Sequence, residues 1–120
     1  MLATLLFVRA PGPRPLGVAI VRGRSMLPSL RDGDRLLVRY AARPRVGDIV
    51  VARFPDGTVA VKRAAEPRRT RTGAPAWWLL SDNAVEGLAD SRARGPVAQD
   101  QVLGVVLLRL WPRPGRVPRV

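Results

Sequence analysis

Proline and glycine interrupt this chain too often for long helices: twelve prolines and eleven glycines fall within 120 residues. Proline fixes φ and lacks an N–H donor, while glycine tolerates bends that other residues resist, so each tends to mark an end or a turn. The apolar residues between them recur in short, strand-like runs. Leu16 to Arg22 reads as a strand running into Gly23, and Ser25 to Leu30 as a turn-rich segment. Asp32-Gly33-Asp34 then turns the chain into a second strand, Arg35 to Tyr40. Arg43 to Asp48 is a further turn, ahead of a strand from Ile49 to Phe54. Pro55-Asp56-Gly57 is a hairpin signal, since proline presets the first turn dihedral and glycine permits positive φ. The returning strand is Thr58 to Ala65. Glu66 to Ala76, polar and basic with a proline, reads as an exposed loop, and Trp77 to Leu80 as a buried strand. Ser81 to Pro96 reads as irregular, and Val102 to Leu110 as the closing apolar strand. The expected fold class is mainly β, one domain over residues 1–120 with a coiled, barrel-like antiparallel sheet. Residues 1–15 are expected to form a flexible or peripheral N-terminal segment, and residues 112–120 a basic tail.

The chain contains no histidine and no cysteine. That excludes a Ser-His-Asp triad, a Cys-His pair, a thiolate or imidazole zinc site and any disulfide framework. No metal and no cofactor is expected. An enzyme built from these residues must move protons with a carboxylate, a tyrosine or a lysine. Only nine carboxylates are available, most of them in turn-like settings such as Arg31-Asp32-Gly33-Asp34.

The formal charge of +12 comes almost wholly from arginine, and Lys62 is the single lysine. A GC-rich genome gives a plain account of that ratio. The exception still matters chemically, because arginine stays protonated in proteins and cannot accept a proton, whereas a buried lysine can. A basic surface suits acidic partners, but the arginines are scattered and no nucleic-acid-binding signature occurs, so specific nucleic-acid binding is not expected. Leu2 to Val8 is apolar but far short of the roughly 20 residues a membrane span needs. A first strand, a tail and a weak membrane contact all remain open for that segment.

Ser25 follows a strand and Gly23, with Pro28 three residues on. A nucleophilic serine needs such a rigid bend, with its own N–H near a developing oxyanion. Taken alone, Ser-x-x-Pro reads more readily as a surface turn than as a nucleophile. In an extended strand Ala60, Lys62 and Ala64 share one face, opposite Val59, Val61 and Arg63. Small neighbours let the lysine lie in an apolar slot, where burial disfavours its charged form and pushes its pKa down. The plain alternative is an edge-strand lysine that blunts aggregation.

Taken together, these segments resemble a known family. Gly23-Arg24-Ser25-Met26-Leu27-Pro28-Ser29-Leu30, with Gly33-Asp34, is similar to the nucleophile segment of the signal peptidase I family. Gly47-Asp48-Ile49-Val50-Val51 resembles its next box, and Val61-Lys62-Arg63 the box that bears its catalytic lysine. Ser81-Asp82-Asn83, Asp90-Ser91-Arg92 and Gly95-Pro96-Val97 resemble the last box. Four segments in order, from about Gly17 to Pro112, carry the likeness.

The resemblance implies a serine endopeptidase with a Ser/Lys dyad, cutting after small residues in an extended peptide held as an added strand. It makes Ser25 the nucleophile and a backbone oxyanion donor, and Lys62 the general base. Asp90 and Arg92 become a structural pair bracing the site, and Met26 packs beneath the cleft. Three departures stand out. Gly23 occupies a position where some members have an oxyanion-assisting serine. Leu88 occupies a position where some have a serine that orients the lysine, and Ser81 replaces the usual glycine. The Arg-rich Gly33 to Tyr40 stretch is similar to the short soluble actinobacterial branch, the nickel-type superoxide dismutase maturation proteases. That likeness implies the N-terminal extension of such a dismutase precursor as substrate, and a cytoplasmic or membrane-peripheral location. The alternatives are a conventional signal peptidase with a truncated start and a non-catalytic basic β domain that binds anionic partners. Self-cleaving regulators with the same dyad use an Ala-Gly or Cys-Gly bond, and neither dipeptide occurs here.

Overall fold

The computed structural model describes residues 3–6, 15–85 and 90–118. The expected strands form, and their alternating sequence explains which side of each faces inward. The elements are β1 (Ala3–Leu6), β2 (Leu16–Val21), β3 (Arg35–Tyr40), β4 (Ile49–Arg53), β5 (Val59–Arg69), β6 (Pro75–Leu80), α1 (Ser91–Arg94), β7 (Val97–Ala98) and β8 (Val102–Trp111). They make one eight-stranded sheet in the order β1-β2-β3-β8-β4-β5-β6-β7, antiparallel at every pairing.

The order contains one long-range decision. The last strand, β8, inserts between β3 and β4, pairing Val106 with Val38 and Val105 with Val50. Gly104 permits that insertion, since a Cβ there would meet Val38 Cγ1 at 2.6 Å and the Arg39 carbonyl oxygen at 2.8 Å. The sheet coils enough for β1, at one edge, to lie against β5. Two cores result, one on each face of β4 and β5. Val50, Ala52, Ala60 and Ala64 join Phe54, Trp77 and Leu79 in the first. Ile49, Val51 and Val61 join Met26, Leu30 and Leu36 in the second. Strands buried on both faces read as unbroken apolar runs, and Ile49-Val50-Val51-Ala52 is one.

One expectation needs correcting, and two terminal segments left open take definite form. The segment Glu66 to Ala76 is not an exposed loop: β5 continues to Arg69 and β6 begins at Pro75, with Pro67 opposite Trp77. Beyond Arg63 the strand has left β4 behind and has a neighbour on one side only, where a proline is tolerated because the missing N–H can face the free side. A register shift between Ala64 and Glu66 and the Arg68 guanidinium 4.4 Å above the Trp78 ring complete the arm. The part of the N-terminal segment that is described, Ala3–Leu6, is a strand paired with β2; Met1, Leu2 and residues 7–14 lie outside the described residues. The basic tail folds back as far as Pro118: Arg109 and Gly115 exchange backbone hydrogen bonds, and Val117 packs on the second core.

Candidate active site

Gly23 opens the turn that carries Ser25. Its φ of 88° lies in the left-handed region that glycine enters without strain, and its N–H donates to Asp32 Oδ1 at 2.8 Å. The chain reverses through residues 24–30, held by the Leu27 N–H to Arg24 oxygen bond (3.2 Å) and the Leu30 N–H to Met26 oxygen bond (2.9 Å). Met26 and Leu30 are fully buried in the second core, which fixes the turn from below. Ser25 itself is buried.

Lys62 lies 37 residues further along the chain and its Nζ donates to Ser25 Oγ at 2.9 Å. It is 0 % exposed, on the face of β5 shared with Ala60 and Ala64. Its cross-strand neighbour on β4 is Val50. Methyl-sized side chains before and after it leave room for the aliphatic stem along the sheet, as the alternation of the strand requires.

A third segment, following β6, fastens the turn to the strand. The Asn83 N–H donates to the Ser25 carbonyl oxygen at 2.8 Å, and Asn83 Nδ2 donates to the Arg24 oxygen at 3.1 Å. Asp82 accepts from the Ser29 hydroxyl at 2.5 Å and from Arg63 Nε at 3.1 Å and Nη2 at 2.6 Å. Arg63 follows Lys62 directly but projects from the opposite face, where it is buried too. Its Nη1 donates to the Gly47 oxygen at 2.9 Å and the Pro118 oxygen at 2.8 Å. One guanidinium therefore ties four separate segments together.

Asp90 is fully buried. It accepts from the Ser81 N–H at 2.7 Å, the Arg92 N–H at 3.0 Å and the Arg92 guanidinium at 2.8 Å and 3.2 Å. Burial by itself raises a carboxyl pKa, but the bonds from Arg92 and Ser81 outweigh it and hold Asp90 below its ordinary value. The adjacent Ser91 hydroxyl accepts from the Leu79 N–H at 2.9 Å, so this carboxylate and hydroxyl clamp the end of β6.

The structure thus brings Ser25 and Lys62 into contact, packs Met26 beneath their turn, and sets the Asp90–Arg92 pair one step away, linked through the Ser81 backbone. Leu88 lies outside the described residues. Reasoning from sequence gave no role to Ser29, Arg63, Asp82 or Asn83. The sequence did hold a signal for Arg63, since strand alternation puts it on a face with Val61, but not for which of nine carboxylates would meet it.

Residues 3–106 match the family model described as Peptidase S24-like. The chain belongs to that family. It is also 30% identical over 118 residues to a mitochondrial inner membrane protease subunit 1 from Schizosaccharomyces pombe, across 81% of this chain and 74% of that protein. The corresponding protein of Xenopus tropicalis is 31% identical over 116 residues, across 79% of this chain and 69% of that protein. Membership of the S24-like family supports a serine-protease-type function on protein substrates. Among the described residues, no helix of this S24-like chain is long and apolar enough to cross a membrane.

Proposed function

We propose that the chain is a serine endopeptidase in which Ser25 is the nucleophile and Lys62 the general base. The observation that carries this reading is the 2.9 Å contact between Lys62 Nζ and Ser25 Oγ inside the protein. Full burial of Lys62 disfavours the ammonium, so a neutral amine is available to take the hydroxyl proton. Ser25 Oγ then attacks the peptide carbonyl, and the Ser25 N–H donates to the oxyanion that forms. Lys62 passes its proton to the leaving amine, which departs and leaves an acyl-enzyme. Water, deprotonated by the same amine, releases the new C-terminus. Two relatives named as protease subunits are in keeping with this chemistry.

The substrate we propose is an extended segment with small residues before the scissile bond, from the N-terminal extension of a nickel-type superoxide dismutase precursor. That assignment, and a cytoplasmic site of action with it, rests on the resemblance of the Gly33 to Tyr40 stretch. Incubating the purified protein with such a precursor and sequencing the new N-terminus tests it. A single new N-terminus, absent with Ser25→Ala and with Lys62→Arg, is the expected result. Cleavage that survives both substitutions rules out the dyad; an uncut dismutase precursor alongside cleavage of other small-residue peptides rules out only the substrate.

A further inference from the structure

Ser81 sits at the one point of the site where a buried polar atom has no partner. The residue is 7 % exposed, its N–H is committed to Asp90, and its Oγ makes no hydrogen bond among the described residues. Buried hydroxyls are almost always satisfied, so an orphan asks for an explanation. Its position gives one. The β5–β6 ladder pairs Ala64 with Leu79 and Arg63 with Leu80; continuing that register by one residue sets Ser81 beside Lys62. Ala64 and Leu79 both belong to the first core, so Lys62 and Ser81, each two residues further on, share that face. Directly opposed residues hold their Cβ atoms about 5 Å apart. Lys62 is therefore flanked across the sheet by Val50 on β4 and by a hydroxyl on the other side.

We infer that Ser81 is a positioning residue for Lys62, its Oγ accepting an N–H of the amine when the proton from Ser25 arrives. The inference rests on the Ser/Lys reading above. A neutral amine has two N–H donors and one lone pair; the ammonium has three donors and no acceptor. Turning the lone pair to Ser25 moves the remaining N–H groups toward the flanks, and protonation leaves three to be satisfied. An acceptor across the strand favours the rotamer that faces Ser25 and stabilises the cation as it forms. Among the described residues of the same segment the carboxylates are already engaged, Asp90 by Arg92 and Asp82 by Arg63. On β5 itself Arg63 points to the opposite face.

As the only lysine in the chain, Lys62 can be followed without a substrate. Lysine labelled with carbon-13 at the ε position gives one signal, and its shift against pH reports the amine directly. Ser81→Ala is expected to move the titration midpoint to lower pH, because the ammonium loses an acceptor, and Ser81→Thr to return it. In cleavage assays on the dismutase precursor, or on small-residue peptides if that is uncut, Ser81→Ala should lower kcat about tenfold with KM unchanged. Removing an orphan hydroxyl should leave the melting temperature unchanged or raised, so a folding defect is visible separately. Superimposable wild-type and Ser81→Ala titrations overturn the role, as does a rise in KM alone, which would make Ser81 a substrate contact. Retained cleavage by Ser25→Ala overturns the dyad instead, and the titration still reports on Ser81.

Discussion

Lys62 and Arg63 are consecutive basic residues on β5, both buried, and they sit in different settings. Strand alternation sends Lys62 to the face of Ala60 and Ala64, where its bond is to the Ser25 hydroxyl. Arg63 goes to the other face, where a carboxylate meets it with two bonds and two carbonyl oxygens accept from Nη1. A guanidinium matched to a carboxylate is locked in its charged state and serves as a rivet. An amine held against a hydroxyl keeps the option of giving up its proton. On the proposed reading, the contrast separates a group for chemistry from one for geometry within a single dipeptide.

The sharpest way to break the contrast is Lys62→Arg. It keeps a long basic side chain but removes the proton acceptor, and cleavage should fall by about 10³-fold or more, with the circular dichroism spectrum unchanged. Wild-type kcat should rise with pH as the Lys62 amine gives up its proton, a limb that the variant lacks. Arg63→Met should act mainly on stability. It strands the largely covered Asp82 carboxylate and should cost about 3 kcal/mol in urea unfolding, a loss that Lys62→Arg should not reproduce by the same route.

Asp90 offers a milder comparison and a pH test. Its folded pKa is depressed, so its contribution is fully present above the ordinary value of 3.8 and is lost as pH falls through the folded value. Asp90→Asn should flatten the acid limb of stability and cost about 1 kcal/mol at neutral pH, a figure held down by the partial exposure of Arg92. The smallest effect belongs to the exposed arm. Arg68→Ala removes a cation–π contact on Trp78 and a surface pairing with Glu66, and should change unfolding free energy by about 0.5 kcal/mol without touching cleavage.

Much of this architecture was legible before any coordinates. The β2, β3 and β4 boundaries follow from alternation and from the Asp-Gly turns, because turn chemistry and pleat are local. The Ser25 bend and the face of Lys62 follow from the same local rules. The loop expected from Glu66 to Ala76 failed because a proline in sequence looks the same whether its missing N–H faces a partner or empty space. Only the start of β4 at Ile49, opposite Arg63, and with it the free side of β5 beyond that residue, decides the matter.

Residue order alone determined that this chain forms short strands, that histidine and thiol chemistry are absent, and that a serine bend and one lysine are its distinctive reactive groups. Tertiary structure decided that β8 enters between β3 and β4, that Asp82 is the carboxylate for Arg63, and that Lys62 meets the Ser25 hydroxyl. The division follows from where the energy lies. Turn preference and alternation are set within a few residues, whereas the choice of a distant partner depends on coiling the whole sheet so that the end of β2 meets the middle of β5.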